Sequence, residues 1–132
     1  MKAKRRILRV LSVNAVFSAV SALLMLSAAG WVARQLGIDS AVPVYVVAGL
    51  LLGFALQLGN IVRTRRIRTW EITGIISGDI AWVVASVVLA GLHYQSISTS
   101  GLMLIDIVAL AVLFLAMAQI RGLRAYRRTA NR

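Results

Sequence analysis

The residues best able to do chemistry in this sequence are polar side chains set inside long apolar stretches. Asp79 is the single charged residue in GIISGDIAWVVASVVLAGL, residues 74–92. On insertion scales an Asp near the centre of a transmembrane helix costs about 2.5–3.5 kcal/mol, and each Leu, Ile or Val returns only about 0.3–0.6 kcal/mol. We therefore expect the Asp79 carboxyl group to face the interior of a helical bundle, to be protonated, or both.

Three other polar side chains are placed by the sequence near the depth of Asp79. Gln57 counts to nearly the same depth, and Asn14 to a position a few Å nearer the basic end of the spans. Trp82 lies one helical turn from Asp79 on the same helix face and offers an N–H donor. We predict a polar cluster of Asn14, Gln57, Asp79 and Trp82, whose members hydrogen-bond to one another and fix the register of the helices. The alternatives are that the cluster binds a proton or a small ligand, with Asp79 titrating, or that it contacts another chain.

A second acid, Asp106, is expected to lie roughly 12 Å from Asp79 along the membrane normal, counting residues at 1.5 Å each. The two carboxyl groups are therefore not expected to share a proton directly. We place Asp106 at the far end of the predicted site. Its expected partners there are Ser27, Arg34, Ser86 and His93.

The sequence holds no arrangement typical of an enzyme. It has no cysteine and only one histidine, which argues against disulfides, thiolate metal sites and multi-histidine metal sites. Paired carboxylates at catalytic spacing, a Ser–His–Asp arrangement and a phosphate-binding loop are also missing. We therefore predict a protein that is not an enzyme and that uses no cofactor or metal ion.

Four long apolar runs must position these side chains. The sequence is 60% hydrophobic with a mean hydropathy of +0.85, and its runs cover residues 10–33, 42–62, 72–92 and 102–120. Each run is long enough to cross a hydrocarbon core of about 30 Å as a helix. Because the connections are short, we predict one all-α domain over residues 1–132, an up-down-up-down bundle of four transmembrane helices. The basic start resembles a signal peptide, but the first run exceeds the usual 7–15 residues, so we expect a retained span.

The basic residues predict how the bundle sits in the membrane. Arg34 alone lies on one side of the predicted spans, and the other 14 of the 15 Lys and Arg residues lie on the opposite side. Because cytoplasmic loops carry the positive excess, we expect both termini in the cytoplasm. This distribution explains the net charge of +11 without a nucleic-acid partner. The residues expected to bind anionic lipid headgroups, or an acidic partner, are Arg5, Arg6, Arg63, Arg65, Arg66, Arg124 and Arg128.

Two pairs of glycines have the four-residue spacing that lets transmembrane helices approach closely. Gly49 and Gly53 lie in the second run, and Gly74 and Gly78 lie in the third. We expect these pairs to pack helices within the bundle. The alternative is that one of them contacts another chain.

Three segments together resemble small, uncharacterised four-helix inner-membrane proteins of bacteria: NAVFSAVSALLML, GDIAWVVASVVL and QIRGLRAYRR. The resemblance implies a location in the bacterial plasma membrane and no assigned activity. Small size and the missing catalytic groups favour an accessory or assembly subunit of a larger membrane complex, or a homo-oligomer. The alternative is a proton-linked transporter or ligand binder that uses Asp79. A membrane enzyme, and immunity against a membrane-active peptide, are further possibilities that the sequence leaves open.

Overall fold

A computed structural model of the chain describes residues 2–131. Met1 and Arg132, the last of the basic residues counted above, lie outside this range. The described residues form five helices and no strand: α1 (Lys2–Ser27), α2 (Ala29–Gln35), α3 (Val42–Thr64), α4 (Thr69–His93) and α5 (Thr99–Ala130). Four of these helices, α1, α3, α4 and α5, are long and apolar enough to cross a membrane. The prediction of an all-α protein with four candidate spans is thus confirmed.

The first predicted span differs from the structure because it is two helices, not one. The backbone leaves the helical region at Ala28, with φ −123° and ψ 26°. Just before it, the Ser27 hydroxyl donates to the Leu24 carbonyl at 3.1 Å, and Gly30 follows two residues later. Serine and glycine together are a common cause of sharp helix bends. The chain therefore turns at Ala28, and α2 covers the ends of its neighbours instead of continuing the axis of α1.

The other end of the bundle extends beyond the predicted spans. Helix α1 begins at Lys2, before the apolar run, and α5 continues to Ala130, ten residues past the predicted end of its span. Lys, Arg and Ala are strong helix formers, so these basic ends continue the helices they flank. At 32 residues, α5 is about 48 Å long, against a hydrocarbon core of about 30 Å.

The long helices pack in the order α3–α1–α5–α4. Helix α1 contacts α3 on one side and α5 on the other, and α4 packs against α5. Over the described residues, the backbones of α3 and α4 make no close approach to each other. The bundle is therefore held mainly through α1 and α5.

Two apolar clusters lie at opposite ends of the bundle. The first joins the beginnings of α1 and α4 to the ends of α3 and α5, through Ile7, Ile72, Ile61 and Leu123. The second joins Ala29, Val32 and Ala33 of α2 to Val44 at the beginning of α3. Burial of these side chains fixes the relative heights of the helices, because each cluster needs residues from particular turns.

A polar clamp ties α2 to the beginning of α5. The Gln35 carbonyl accepts from the Ser98 backbone N–H at 2.9 Å, and Gln35 Oε1 accepts from the Ser98 hydroxyl at 2.6 Å. Ser98 Oγ in turn accepts from Gly101 N at 3.0 Å and so caps α5. Two glycines permit this contact. Gly37 has φ 68°, and a Cβ on Gly101 would meet the Gln35 carbonyl.

Candidate intramembrane polar site

Asp79 lies at the centre of a hydrogen-bond network inside the bundle. Its side chain is only 5% exposed, and its Oδ2 accepts from Asn14 Nδ2 at 2.9 Å and from Gln119 Nε2 at 3.0 Å. The Ser18 hydroxyl extends the network by donating to Asn14 Oδ1 at 3.3 Å. The network therefore joins α1, α4 and α5 through one carboxyl oxygen. Both amide groups donate to Asp79 Oδ2, and this is the hydrogen-bond arrangement that suits an ionised carboxylate.

Each member of the network sits on the buried face of its helix. Asn14 and Ser18 are four residues apart on the buried face of α1, and Leu11, three residues before Asn14, lies on the same face. Asp79 follows Ile75 and Ile76 by one helical turn on α4, and Gln119 follows Leu115 by one turn on α5. The same apolar contacts that hold the bundle together therefore also turn the polar groups inward.

Gln119 is the member of the network that the sequence analysis missed. Gln119 is the second-last residue of the predicted span 102–120, close to Arg121, which corresponds to a position at the edge of the membrane. The hydrogen bond to Asp79 instead puts Gln119 well inside the bundle, with no solvent exposure. Helix α5 is therefore shifted relative to α4 by about five residues, or 7–8 Å, from the position expected by counting. The useful signal was its helical spacing, since Gln119 lies four residues from Leu115 on the apolar face.

One atom in this network has no partner. Gln119 Oε1 is buried and accepts no hydrogen bond from any described residue. An unsatisfied buried acceptor is uncommon and costs free energy. It is also the atom that would accept a hydrogen bond from a protonated Asp79 if the Gln119 amide turned over, because the two ends of a Gln amide differ only in donor or acceptor character.

Two of the residues expected beside Asp79 are elsewhere. Gln57 is exposed on α3, on the side turned away from the bundle, and Trp82 is half-buried. Over residues 2–131, neither side chain hydrogen-bonds to Asp79. The depth expected for Gln57 gave no information about the direction in which it points. The expected cluster is therefore corrected to Asn14, Ser18, Asp79 and Gln119.

Asp106 also departs from expectation, because it is exposed and no helix of the chain covers it. It forms no ion pair within the described residues, so the expected contacts with Ser27, Arg34, Ser86 and His93 are not made. The α5 shift accounts for part of this result. Asp106 lies thirteen residues from Gln119, or about 20 Å along the helix. Because Gln119 hydrogen-bonds to Asp79, Asp106 also lies much farther from Asp79 than the roughly 12 Å expected. That places it only two turns from the beginning of α5.

The four expected packing glycines are exposed too. Gly49 and Gly53 on α3, and Gly74 and Gly78 on α4, have no atom within 4 Å of an added Cβ. This contradicts the expectation that they pack helices within the bundle. The close helix contact is instead at Gly122, where a Cβ would lie 3.0 Å from Ile7 Cδ1, so α1 and α5 approach there. Contact with another chain remains open for both glycine pairs.

The basic residues expected to meet lipid are all exposed: Arg5, Arg6, Arg63, Arg65, Arg66, Arg124 and Arg128. The single ion pair over residues 2–131 joins Arg68 Nη1 to Glu71 Oε1 at 3.5 Å. In the same part of the chain, no group of three or more His, Cys, Asp or Glu residues is arranged to hold a metal ion. The chain thus offers one buried polar network and a strongly basic end.

Neither a protein-family model, nor a curated protein, nor a solved structure matches this chain.

Proposed function

We propose that this chain is a small multi-pass protein of the bacterial plasma membrane that works by packing its helices against those of another chain. It would serve as an accessory or assembly subunit or as a homo-oligomer. The observation that carries the proposal is a stripe on α3 made of Gly49, Gly53, Gln57 and Asn60. These residues recur every three or four positions and are all exposed.

The orientation in the proposal has both termini in the cytoplasm. The basic residues before α1, between α3 and α4, and at the end of α5 support this orientation. Ile7, Ile61, Ile72 and Leu123 share one cluster, which supports alternating helix directions. The bacterial plasma membrane itself is supported by the sequence resemblance alone.

The α3 stripe faces away from the chain's own core. The buried residues of this helix are Val44, Ala48, Ala55, Leu58 and Ile61, which lie on the opposite side. Amide side chains are costly against hydrocarbon unless other groups bond to them. Small residues four apart allow a second helix to approach closely enough to supply those bonds. A neighbouring helix would therefore cover the small residues and satisfy the amides together.

We propose that the neighbouring helix belongs to a second copy of the same chain. An amide carries both donors and an acceptor, so two Gln57 side chains facing each other across a two-fold axis can bond reciprocally. The same holds for Asn60. A two-fold contact through α3 places each amide opposite its own copy at the same depth.

Disulfide cross-linking in native membranes tests this contact, because the chain contains no cysteine of its own. We expect Gly53→Cys to form a cross-linked dimer on mild oxidation. Val20→Cys is the control, since Val20 is exposed near the middle of α1 but lies away from the stripe. Mild-detergent pull-down with mass spectrometry identifies any different partner. A monomer with no companion and no Gly53→Cys dimer would overturn the proposal.

A second candidate function is proton-linked transport or ligand binding at Asp79. The observation that favours it is Gln119 Oε1, the buried acceptor without a partner. With a proton on Asp79, the carboxyl group becomes a donor, and a turned Gln119 amide presents Oε1 to receive that hydrogen bond. The Asp79–Gln119 pair can then hydrogen-bond in either protonation state, with the amide donating to the carboxylate and its oxygen accepting from the protonated acid.

Proton uptake by reconstituted vesicles tests this second function. We expect a proton leak or proton-coupled flux, reported by a pH dye inside the vesicles, to be lost in Asp79→Asn. Asp106→Asn removes the other membrane carboxyl group and should leave the signal intact. Infrared difference spectra give a direct check, because the carboxylic-acid C=O band of Asp79 should appear as the pH falls. Identical spectra from the wild type and Asp79→Asn would rule out titration of this residue.

A further inference from the structure

A groove between α4 and α5 at the basic end of the bundle carries the features of a lipid site. It has a volume of about 200 Å³, and its polar lining is made of Thr73, Ser77, Arg124 and Arg127. Ile76 and Leu123, both buried, are among its apolar lining residues. No carboxylate lines the groove, so its two guanidinium groups are not neutralised there.

The polar lining is organised. Arg127 Nη2 donates to Thr73 Oγ1 at 3.4 Å, and the Thr73 hydroxyl donates to the Thr69 carbonyl at 2.9 Å. Thr73 therefore holds Arg127 against α4. Ser77, one turn further along the same face, donates to no described residue and is free to bind a ligand. Two guanidinium groups with a hydroxyl donor between helices match the oxygens of a phosphate.

The groove continues into the apolar part of the bundle surface. On α4, Ile80 and Val84 follow Thr73 and Ser77 at helical spacing and are exposed. On α5, Leu113 and Met117 precede Arg124 on the same face and are also exposed. The surface thus has arginine and hydroxyl groups at one end and apolar side chains along the rest of its length. These two parts complement the anionic headgroup and the acyl chains of a phospholipid.

We propose that this groove binds one anionic glycerophospholipid, with its phosphate between Arg124, Arg127 and Ser77 and an acyl chain along Ile80 and Met117. A second groove, lined by Lys2, Arg5, Arg6, Arg9 and Val10, is larger at about 460 Å³. Its polar lining is entirely basic and comes from α1 alone, so it offers charge without a hydroxyl donor or a helix–helix cleft. The α4–α5 groove is therefore the specific site, and the α1 surface attracts anionic lipid only by its charge.

This inference rests on the proposed membrane location but not on the α3 contact. A missing Gly53→Cys dimer would therefore leave it unchanged. The test is a native mass spectrometry titration of the purified full chain in an uncharged detergent. The probes are phosphatidylglycerol, phosphatidylcholine with the same acyl chains, and inorganic phosphate.

The variants keep the charge change equal while moving its position. Arg124→Gln with Arg127→Gln removes two charges from the groove, and Lys4→Gln with Arg121→Gln removes two charges that line neither groove. At about 1 kcal/mol for each charge, we expect the groove pair to weaken phosphatidylglycerol binding by about 30-fold. The control pair should retain wild-type affinity. Ser77→Leu, which fills the groove without changing charge, should also lose binding.

Three results would overturn the inference. Equal losses in the two double variants would mean that only the overall charge attracts lipid. Equal binding of phosphatidylcholine and phosphatidylglycerol would mean that the site does not select an anionic headgroup. Inorganic phosphate binding as tightly as phosphatidylglycerol would identify a phosphate site with no lipid component. Circular dichroism and gel-filtration profiles matching the wild type confirm that each variant is folded.

Discussion

The inner network and the outer α3 stripe contain the same kinds of polar group, yet they differ in what satisfies them. Asn14 and Gln119 donate to Asp79 inside the bundle at 2.9 and 3.0 Å. Gln57 and Asn60 point away from every helix of the chain. The chain itself satisfies the first set except for Gln119 Oε1, and the second set requires another molecule. Inner polar groups should therefore contribute to folding, and outer ones to association.

The largest difference between the two regions is expected for glycine substitutions. Gly122→Leu places a side chain against Ile7 and should lower the free energy of unfolding by about 3 kcal/mol, as overpacking does. Gly53→Leu meets no atom of the chain and should leave that free energy unchanged. Unfolding by denaturing detergent measures both. A comparable loss in the two variants would show that the α3 stripe packs within the chain.

Amide substitutions should separate the regions by a smaller amount. Gln119→Leu leaves Asp79 with one donor in a buried site and should cost about 2 kcal/mol of unfolding free energy. The matched variant Gln57→Leu should cost nothing in the monomer and should weaken dimer formation instead. Replacing Asn14, Asp79 and Gln119 together by Leu should recover most of the loss, because the one network group left, the Ser18 hydroxyl, can donate to the backbone carbonyl four residues before it. Stability of the triple variant below that of Gln119→Leu would contradict this account.

Asp106→Leu should have a smaller effect with the opposite sign. Because Asp106 has no partner in the described residues, its removal should not destabilise the bundle. It should favour membrane insertion of the α5 segment by about 1 kcal/mol, less than for an Asp at the centre of a span. A glycosylation-based insertion assay measures this change. Reduced stability of the full chain would reveal an intramolecular partner for this carboxylate.

The smallest effect is expected at the exposed ion pair. Arg68 and Glu71 are three residues apart at the beginning of α4, with their charged atoms 3.5 Å apart. Exposed pairs of this kind contribute about 0.5 kcal/mol or less. Glu71→Gln should therefore change the unfolding free energy by no more than this amount and should do so only at low salt. A larger loss, measured by the same detergent titration, would place Glu71 in the folding core.

The sequence predicted the number of spans because hydrocarbon imposes a strong and simple rule on helix length and polarity. It predicted that Asp79 faces inward for the same reason. The bend at Ala28 depends on local features, a Ser27 hydroxyl bonded to the Leu24 carbonyl and a glycine at position 30, which average hydropathy does not register. The extension of α5 to Ala130 was missed because a helix continues into water wherever its residues favour helix.

The membership of the polar network was harder to predict, since it depends on rotation and vertical shift of each helix. Gln57 was expected at the depth of Asp79, but its side chain points out of the bundle. Gln119 lies on the buried face of α5, but it falls near the end of the predicted span and was therefore not considered. Depth follows from counting residues, but the shift of α5 against α4 follows from packing at Ile7, Ile72 and Leu123. Only the assembled core contains that information.

Helix α5 is continuous from Thr99 to Ala130 and therefore moves as one rigid element. Gln119 hydrogen-bonds to Asp79 inside the bundle, and Arg127 lies eight residues further along, about 12 Å away on the same helix. No bend separates the two positions. A rotation of α5 about its axis that changes the hydrogen bonds of Gln119 would turn Arg127 through the same angle. A change in the buried Asp79 network would therefore move the arginine side chains at the end of this helix.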